Sequence, residues 1–339
     1  MHLYFETMGN DEVSAELLKG KEEMYACYDY LDARYQHNRL DGKEAEDFVF
    51  SLFPGRSSSV FLDETWRRKM AEWCYEVVDH YEFSREAVDI CISILDRYLC
   101  MRKVTKTILQ LATMTSLNIA LKVHEPRSLK LSTLIRLGRG RVTKEQIIAM
   151  EHSIVEVLGW RVNPPTIMSA IRIYLAMVDK EFDSKTKTWV EELARYLSEV
   201  SVCDYFFVTM KPTSVALACI LSSFTIIARE QTLRTNYLYQ KINTEINCSI
   251  EEVHDCRIRL LDIYEDCNYD VGERTPSPDT FYVPAVSGNS DYDLITSHSE
   301  FEDSTHVNES NENSVSANGM RPLQIFSSVV SLESASDDE

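Results

Sequence analysis

The chain has 339 residues, 44% of them apolar, enough to build two domains of ordinary size with real cores. Its formal net charge of −19 opposes contact with phosphate backbones, where Lys and Arg must displace condensed counterions, so direct nucleic-acid binding is not expected. No run of about 18 apolar residues lacks a charge, and the opening MHLYFETMGNDE has neither the basic start nor the apolar core of a signal peptide, so no membrane span or leader is expected either.

Chemistry-bearing motifs are equally scarce. With 10 glycines and no GxGxxG or GxxxxGK[ST] pattern, nothing is equipped to cradle a nucleotide. The 8 histidines are dispersed, no HExxH or GxSxG occurs, and no Cys/His arrangement stands out. No catalytic residue, cofactor or metal site is expected. The 9 cysteines, scattered and without CxxC spacing, are expected to be reduced and mostly buried thiols in an intracellular protein of nucleus or cytoplasm, with no evident nuclear localisation signal.

In chain order, residues 1–61 read as an N-terminal helix and linker. The stretch AELLKGKEEMYACYDYLDARYQ carries Met24, Cys27, Tyr28, Leu31 and Tyr35 on one helical face, and Leu40 to Phe61 reads as a strap or linker. From Leu62 to Tyr81, residues Trp66, Met70, Trp73, Cys74, Val77 and Val78 recur at helical spacing. Ser84 caps a second helix whose stripe is Val88, Cys91, Ile92, Leu95 and Leu99. Thr105 to Lys122 is apolar almost all round apart from small hydroxyls, which predicts a central, buried helix. Pro126 and the pair Gly138 and Gly140 bracket a short fourth helix, and a TxxQ capping box at Thr143 and Gln146 opens a fifth that runs to about Gly159.

The same order then repeats, with helices predicted over Thr166 to Asp179, Ser184 to Val202, Pro212 to Ala228 and Thr235 to Ile242, and a last one opened by Ser249 and Glu252. The buried helices start at Thr105 and Pro212, and the capping boxes at Thr143 and Ser249, offsets of 107 and 106 residues. A duplicated five-helix unit follows, 62–163 and 164–268, joined at Pro164 and Pro165. From Asp270 there are 14 acidic and 2 basic residues, and the segment 269–339, rich in Ser, Thr and Asn, is expected to be a disordered acidic tail.

These all-α repeats resemble the tandem cyclin fold, and the first carries motifs similar to the cyclin box. In WRRKMAEWCYEV, Arg67 precedes Trp73 by six residues; ILDRYL supplies Asp96; the third helix supplies Leu111 and Lys122; and MEHSIVEVLGW supplies Glu151. The spacings of 15, 26 and 29 residues (Asp96 to Leu111, Asp96 to Lys122, Lys122 to Glu151) fit the family pattern without a gap. DYFFVTMKPTSVALACI is similar to the segment leading into the third helix of the C-terminal repeat.

The resemblance implies a non-catalytic regulatory subunit that binds and activates a cyclin-dependent Ser/Thr protein kinase and controls cell-cycle progression. It assigns kinase contact to Lys122, Glu151, Val123, Val155 and Trp160. Asp96, beside an apolar stripe, needs a partner, and Arg67 is the expected one in a structural ion pair. Positions matching the family's RxL-peptide docking patch are Trp66, Met70, Trp73, Glu76 and Gln110, with Lys69 in place of an apolar residue. In the tail, Thr275, Ser277, Ser334 and Ser336 are phosphorylation candidates through which a ubiquitin ligase would recognise the chain, and RPLQIF from Arg321 has the RxL form. A transcription-associated cyclin, or a cyclin-fold scaffold without kinase activation, is the alternative; DRYL and the tail lean towards a G1 or signal-responsive type.

Overall fold

Several helices begin where a side chain takes up backbone N–H groups that have no partner of their own. In the computed structural model, which describes residues 18, 20–31, 63–102, 104, 106–178, 183–228, 237–243 and 248–269, Asp63 accepts from the Trp66 amide and starts α1 (Glu64–His80). Ser84 Oγ accepts from the Glu86 amide and opens α2 (Glu86–Met101). Then come α3 (Lys106–His124), α4 (Leu131–Leu137) and α5 (Lys144–Val157), the last with the full reciprocal capping box of Thr143 and Gln146. The second set is α6 (Ile167–Met177), α7 (Ser184–Cys203), a 3-10 turn at Tyr205–Thr209, α8 (Pro212–Ala228), α9 (residues 237–243) and α10 (Ile250–Tyr269). There is no strand among the described residues, and no helix among them is long and apolar enough to cross a membrane. Contacts divide the chain into Met1–Cys267 and Asn268–Glu339.

Helix α3 is the centre of the first repeat, packed against α2 and α5, and α8 is the centre of the second, packed against α6 and α7. Both are buried on every side over most of their length, as their composition predicts. Their hydroxyls are tolerated because several turn back onto their own helix: Thr113 donates to the Leu109 carbonyl, Thr115 to Leu111 and Ser223 to Cys219. Small residues at these positions also let neighbouring helices approach closely. A buried Leu or Ile here contributes about 2 kcal/mol through area removed from water.

The two repeats are joined by acids of one element serving the helix ends of another. Glu86 accepts from the Thr166 hydroxyl and pairs with Arg172 at 2.9 Å, and Asp89 accepts from the Ile167 amide at 2.8 Å, so α2 caps α6. Burial opposes the Glu86 charge, but the bonds from Arg172 and Thr166 outweigh it and hold the carboxyl below the usual carboxylate range. Asp89 has weaker compensation, and burial pushes it up to about 7. At α8, Glu22 accepts from the Thr213 amide and hydroxyl, while Glu252 accepts from the Lys211 amide and the Ser214 hydroxyl. Only half of the second expected capping box therefore forms: Ser249 Oγ accepts from the Glu252 amide, but the Glu252 carboxylate is engaged at α8 instead.

The N-terminal segment also departs from its periodicity. It is helical over 20–24, then irregular through 29, and Met24 and Tyr28 are exposed. Tertiary bonds decide its path: Glu22 is held at α8, Tyr30 donates to Asp96 at 2.8 Å, and the Tyr205 hydroxyl donates to Asp29 while accepting from the Leu31 amide. Residues 20–31 thus form an N-terminal strap, distinct from the segment of residues 40–61, that binds both repeats. Tyr35 and the linker of residues 40–61 lie outside the described residues.

Where strap, α1, α2 and α7 meet, Arg67 and Asp96 form a buried ion pair, with Nη2 to Oδ2 at 2.8 Å and Nε to Oδ1 at 3.0 Å. Arg67 Nη1 donates to the Val202 carbonyl of α7 at 2.8 Å, so the pair fastens the two repeats as well as α1 to α2. Burial opposes the guanidinium charge, and the Asp96 carboxylate overcomes it, raising the Arg67 pKa. Asp96→Ala strands that cation and is expected to lower the unfolding free energy by about 3 kcal/mol or more in urea titration. Tyr30→Phe, which removes one neutral donor, should cost about 1 kcal/mol.

Candidate functional site

Helix α5 presents two apolar stripes. Ile147, Met150 and Ile154 are buried against α3, while Ile148, Glu151 and Val155 follow one another along another side, where Ile148 is 51% exposed. Lys122, in the last turn of α3, reaches Glu151 with Nζ to Oε1 at 2.5 Å. Their side chains are 43% and 31% exposed, so the bond contributes little to stability. An ammonium has three donors and a carboxylate two acceptor oxygens, which leaves both groups capacity for a partner's carbonyls and amides.

Val123 stands next to Lys122 at 37% exposure. Trp160 is 78% exposed, because α5 closes through two successive residues in the left-handed region, Gly159 (φ 56°) and Trp160 (φ 63°). The Trp160 amide donates to the Val155 carbonyl and the Gly159 amide to Glu156, a closure that throws the indole outward. Such a backbone is costly for a bulky residue. It is held from behind by Arg97, whose Nη1 donates to the Arg161 carbonyl at 2.8 Å while its guanidinium lies over the Tyr25 ring, 4.7 Å from the centroid. All five residues assigned to kinase contact are thus at least partly exposed, on the last turn of α3, along α5 and just past its end. Ile148 joins them unannounced. The signal for it was the tandem Ile147-Ile148: adjacent positions are about 100° apart on a helix, so one stripe cannot bury both. Among the described residues of the second repeat no ion pair matches that of Glu151, and Arg257 donates to the Thr225 hydroxyl there.

The docking-patch residues lie on α1 and α3. Trp66, Met70 and Trp73 are half-buried, Glu76 and Gln110 exposed. Lys69 lies over the Trp66 ring, with Nζ 5.2 Å from the centroid, so the charge rests against the apolar surface it interrupts. Glu76 is pushed up to about 7, first by loss of hydration and then by Glu72 and Asp79.

Residues 43–163 match the family model for the cyclin N-terminal domain and residues 165–273 that for the cyclin C-terminal domain, which together span more than half of the chain. The chain belongs to the cyclin family. Among its relatives, Cyclin-B1-1 of Oryza sativa subsp. japonica is 27% identical over 208 residues, covering 61% of this chain and 44% of the relative. Putative cyclin-A3-1 of Arabidopsis thaliana is 28% identical over 224 residues, covering 65% and 61%. This cyclin therefore spans only part of the curated relatives that it matches. Their names are of A and B types. A viral cyclin from herpesvirus saimiri overlays with a TM-score of 0.49 at 18% identity, covering 69% of this chain and 97% of that one.

Thr275, Ser277, Ser334, Ser336 and the RPLQIF segment lie outside the described residues. Five of the cysteines among the described residues are buried, Cys74, Cys91, Cys219, Cys248 and Cys256. No group of three or more His, Cys, Asp or Glu side chains among the described residues is placed to hold a metal ion.

The raised Glu76 pKa has a consequence for stability. The folded state holds the proton up to about pH 7 and the unfolded state releases it near 4.5, so this group stabilises the fold at low pH and the contribution is lost as pH rises through 7. Glu76→Gln should therefore raise Tm relative to wild type more at pH 8 than at pH 5. Equal differences at both values in thermal melts would show that Glu76 titrates normally.

Proposed function

We propose that this cyclin is a non-catalytic regulatory subunit that binds and activates a cyclin-dependent Ser/Thr protein kinase and thereby controls cell-cycle progression. The observation that carries the reading is the exposed Lys122–Glu151 salt bridge with spare hydrogen-bonding capacity, with Val123 next to Lys122, Ile148 one turn before Glu151 on α5, and Trp160 turned outward just past the end of that helix. Isolated apolar side chains on a surface need no explanation, but a large aromatic held outward on a costly backbone, beside further apolar and charged groups, has the composition of an interface anchor. In this reading Lys122 donates to partner carbonyls, Glu151 accepts partner amides, and Val123, Val155, Ile148 and Trp160 supply apolar area. Family membership supports it, as do the cyclin-box positions Arg67, Asp96, Leu111, Lys122 and Glu151.

Lys122→Ala with Glu151→Ala should leave the circular dichroism spectrum unchanged and weaken kinase capture about tenfold or more, since only exposed groups are removed. Trp160→Ala should likewise leave Tm near wild type and weaken capture. Binding retained by a folded double mutant would sink the assignment. Affinity capture followed by mass spectrometry identifies the kinase.

We propose further that RxL-type peptides dock on the Trp66, Met70, Trp73, Glu76 and Gln110 surface, and that the tail is a phosphorylation-dependent recognition site for a ubiquitin ligase. Each phosphate adds a charge of about −1.5 to −2 for a basic pocket to grip. Thr275→Ala with Ser277→Ala, or truncation after Tyr269, should lengthen the half-life measured after blocking translation. Truncation should leave kinase activation intact, because α10 ends at Tyr269.

A further inference from the structure

Two thiols from distant parts of the chain meet at the end of α2. Cys27 lies on the irregular stretch of the strap and Cys100 in the last turn of α2, with their Sγ atoms 3.3 Å apart. Both residues are half-buried, and Cys27 also borders a cavity of about 330 Å³ shared with Tyr25, Ser93 and Asp96, which has room for a small polar molecule. A second thiol pair provides the contrast. Cys74 and Cys91 are 3.7 Å apart, but both are wholly buried and sit within helices, where neither an oxidant nor a backbone shift has access.

We propose that Cys27 and Cys100 are a reversible disulfide site, closed by a hydroperoxide, that fastens the N-terminal strap to α2. One thiolate attacks a peroxide oxygen, so that an S–O bond forms as the O–O bond breaks, and the departing hydroxide is protonated to water. The second thiolate attacks the resulting sulfenic sulfur, forming the S–S bond and releasing the sulfenic oxygen as a second water. Two thiols lose two electrons and two protons, and one hydrogen peroxide becomes two waters. A disulfide needs sulfurs about 2.05 Å apart, and the irregular backbone at Cys27 has no helical ladder to resist that closure. The hydrogen bond to Cys100 and then burial push the Cys27 thiol up, which keeps its thiolate fraction low and slows its attack on peroxide. The closed loop joins positions 73 apart in sequence and fixes the segment that carries Glu22 and Tyr30 to both repeats.

The test uses the full chain treated with hydrogen peroxide, blocked with iodoacetamide and digested with trypsin. The expected product is a linked pair of peptides, residues 22–34 with 98–102, that disappears on reduction with dithiothreitol. Amide exchange over 20–31 should slow in the oxidised protein and recover on reduction. Absence of the linked pair from folded, peroxide-treated protein would overturn the proposal, as would a link between 70–85 and 86–97, which carry Cys74 and Cys91. In Cys100→Ser both the link and the slowed exchange should be lost. Slowing that persists in that variant would show that oxidation acts on the strap by another route.

Discussion

A guanidinium taken out of water must have its N–H groups answered, and around Arg67 that requirement ties together four parts of the chain. Asp96 on α2 answers Nε and Nη2, and the Val202 carbonyl at the end of α7 answers Nη1. The carboxylate that neutralises the charge needs a further donor, and the strap supplies it as the Tyr30 hydroxyl. Burial and the Asp96 charge both raise the Tyr30 pKa, so it stays protonated and keeps donating. Two apolar residues could fill the same space and bind as tightly. They could not demand that α1, α2, α7 and the strap arrive in one register.

The same economy governs the rest of the junction. Helix N-termini carry unanswered amides and partial positive charge, and an acid-rich body places its carboxylates there across element boundaries. Glu86 and Asp89 serve α6, while Glu22 and Glu252 serve α8. Arg85, paired with Asp79 and Glu199, crosses from the start of α2 to α7 in the opposite sense. Much of the acidic excess before the tail is therefore structural. These bonds orient the repeats while the apolar cores of α3 and α8 hold each repeat together.

That rigidity matters for the exposed face. Arg97, the neighbour of Asp96, turns away from the ion pair and holds the backbone behind Trp160 by its bond to the Arg161 carbonyl. One pair of adjacent residues on α2 thus positions both the inter-repeat joint and the turn that presents the indole. The Lys122–Glu151 pair joins two packed helices, Lys122 in the last turn of α3 and Glu151 midway along α5, so its geometry is set by the core rather than by a loop.

Among the described residues, helix order and duplication were legible from Cys74, Leu95, Leu111 and their periodic neighbours, because burial of one face imposes a 3.6-residue recurrence that local sequence carries. The box at Thr143 and Gln146 was legible for the same reason: both partners lie within one turn. The pairing of Arg67 with Asp96 followed from a charge beside an apolar stripe. What local pattern could not carry was the destination of side chains that bond across the chain. Glu252 leaves its own helix for Lys211, Glu22 reaches Thr213 over 191 positions, and Tyr28 follows the helical period yet lies exposed because Tyr30 and Asp29 are drawn to Asp96 and Tyr205. Sequence determined the helices and their cores, since those energies are local and periodic. Only the tertiary structure decided the path of the strap, the linkage of the repeats and the exposure of Ile148 and Trp160, since those depend on partners that sequence distance conceals.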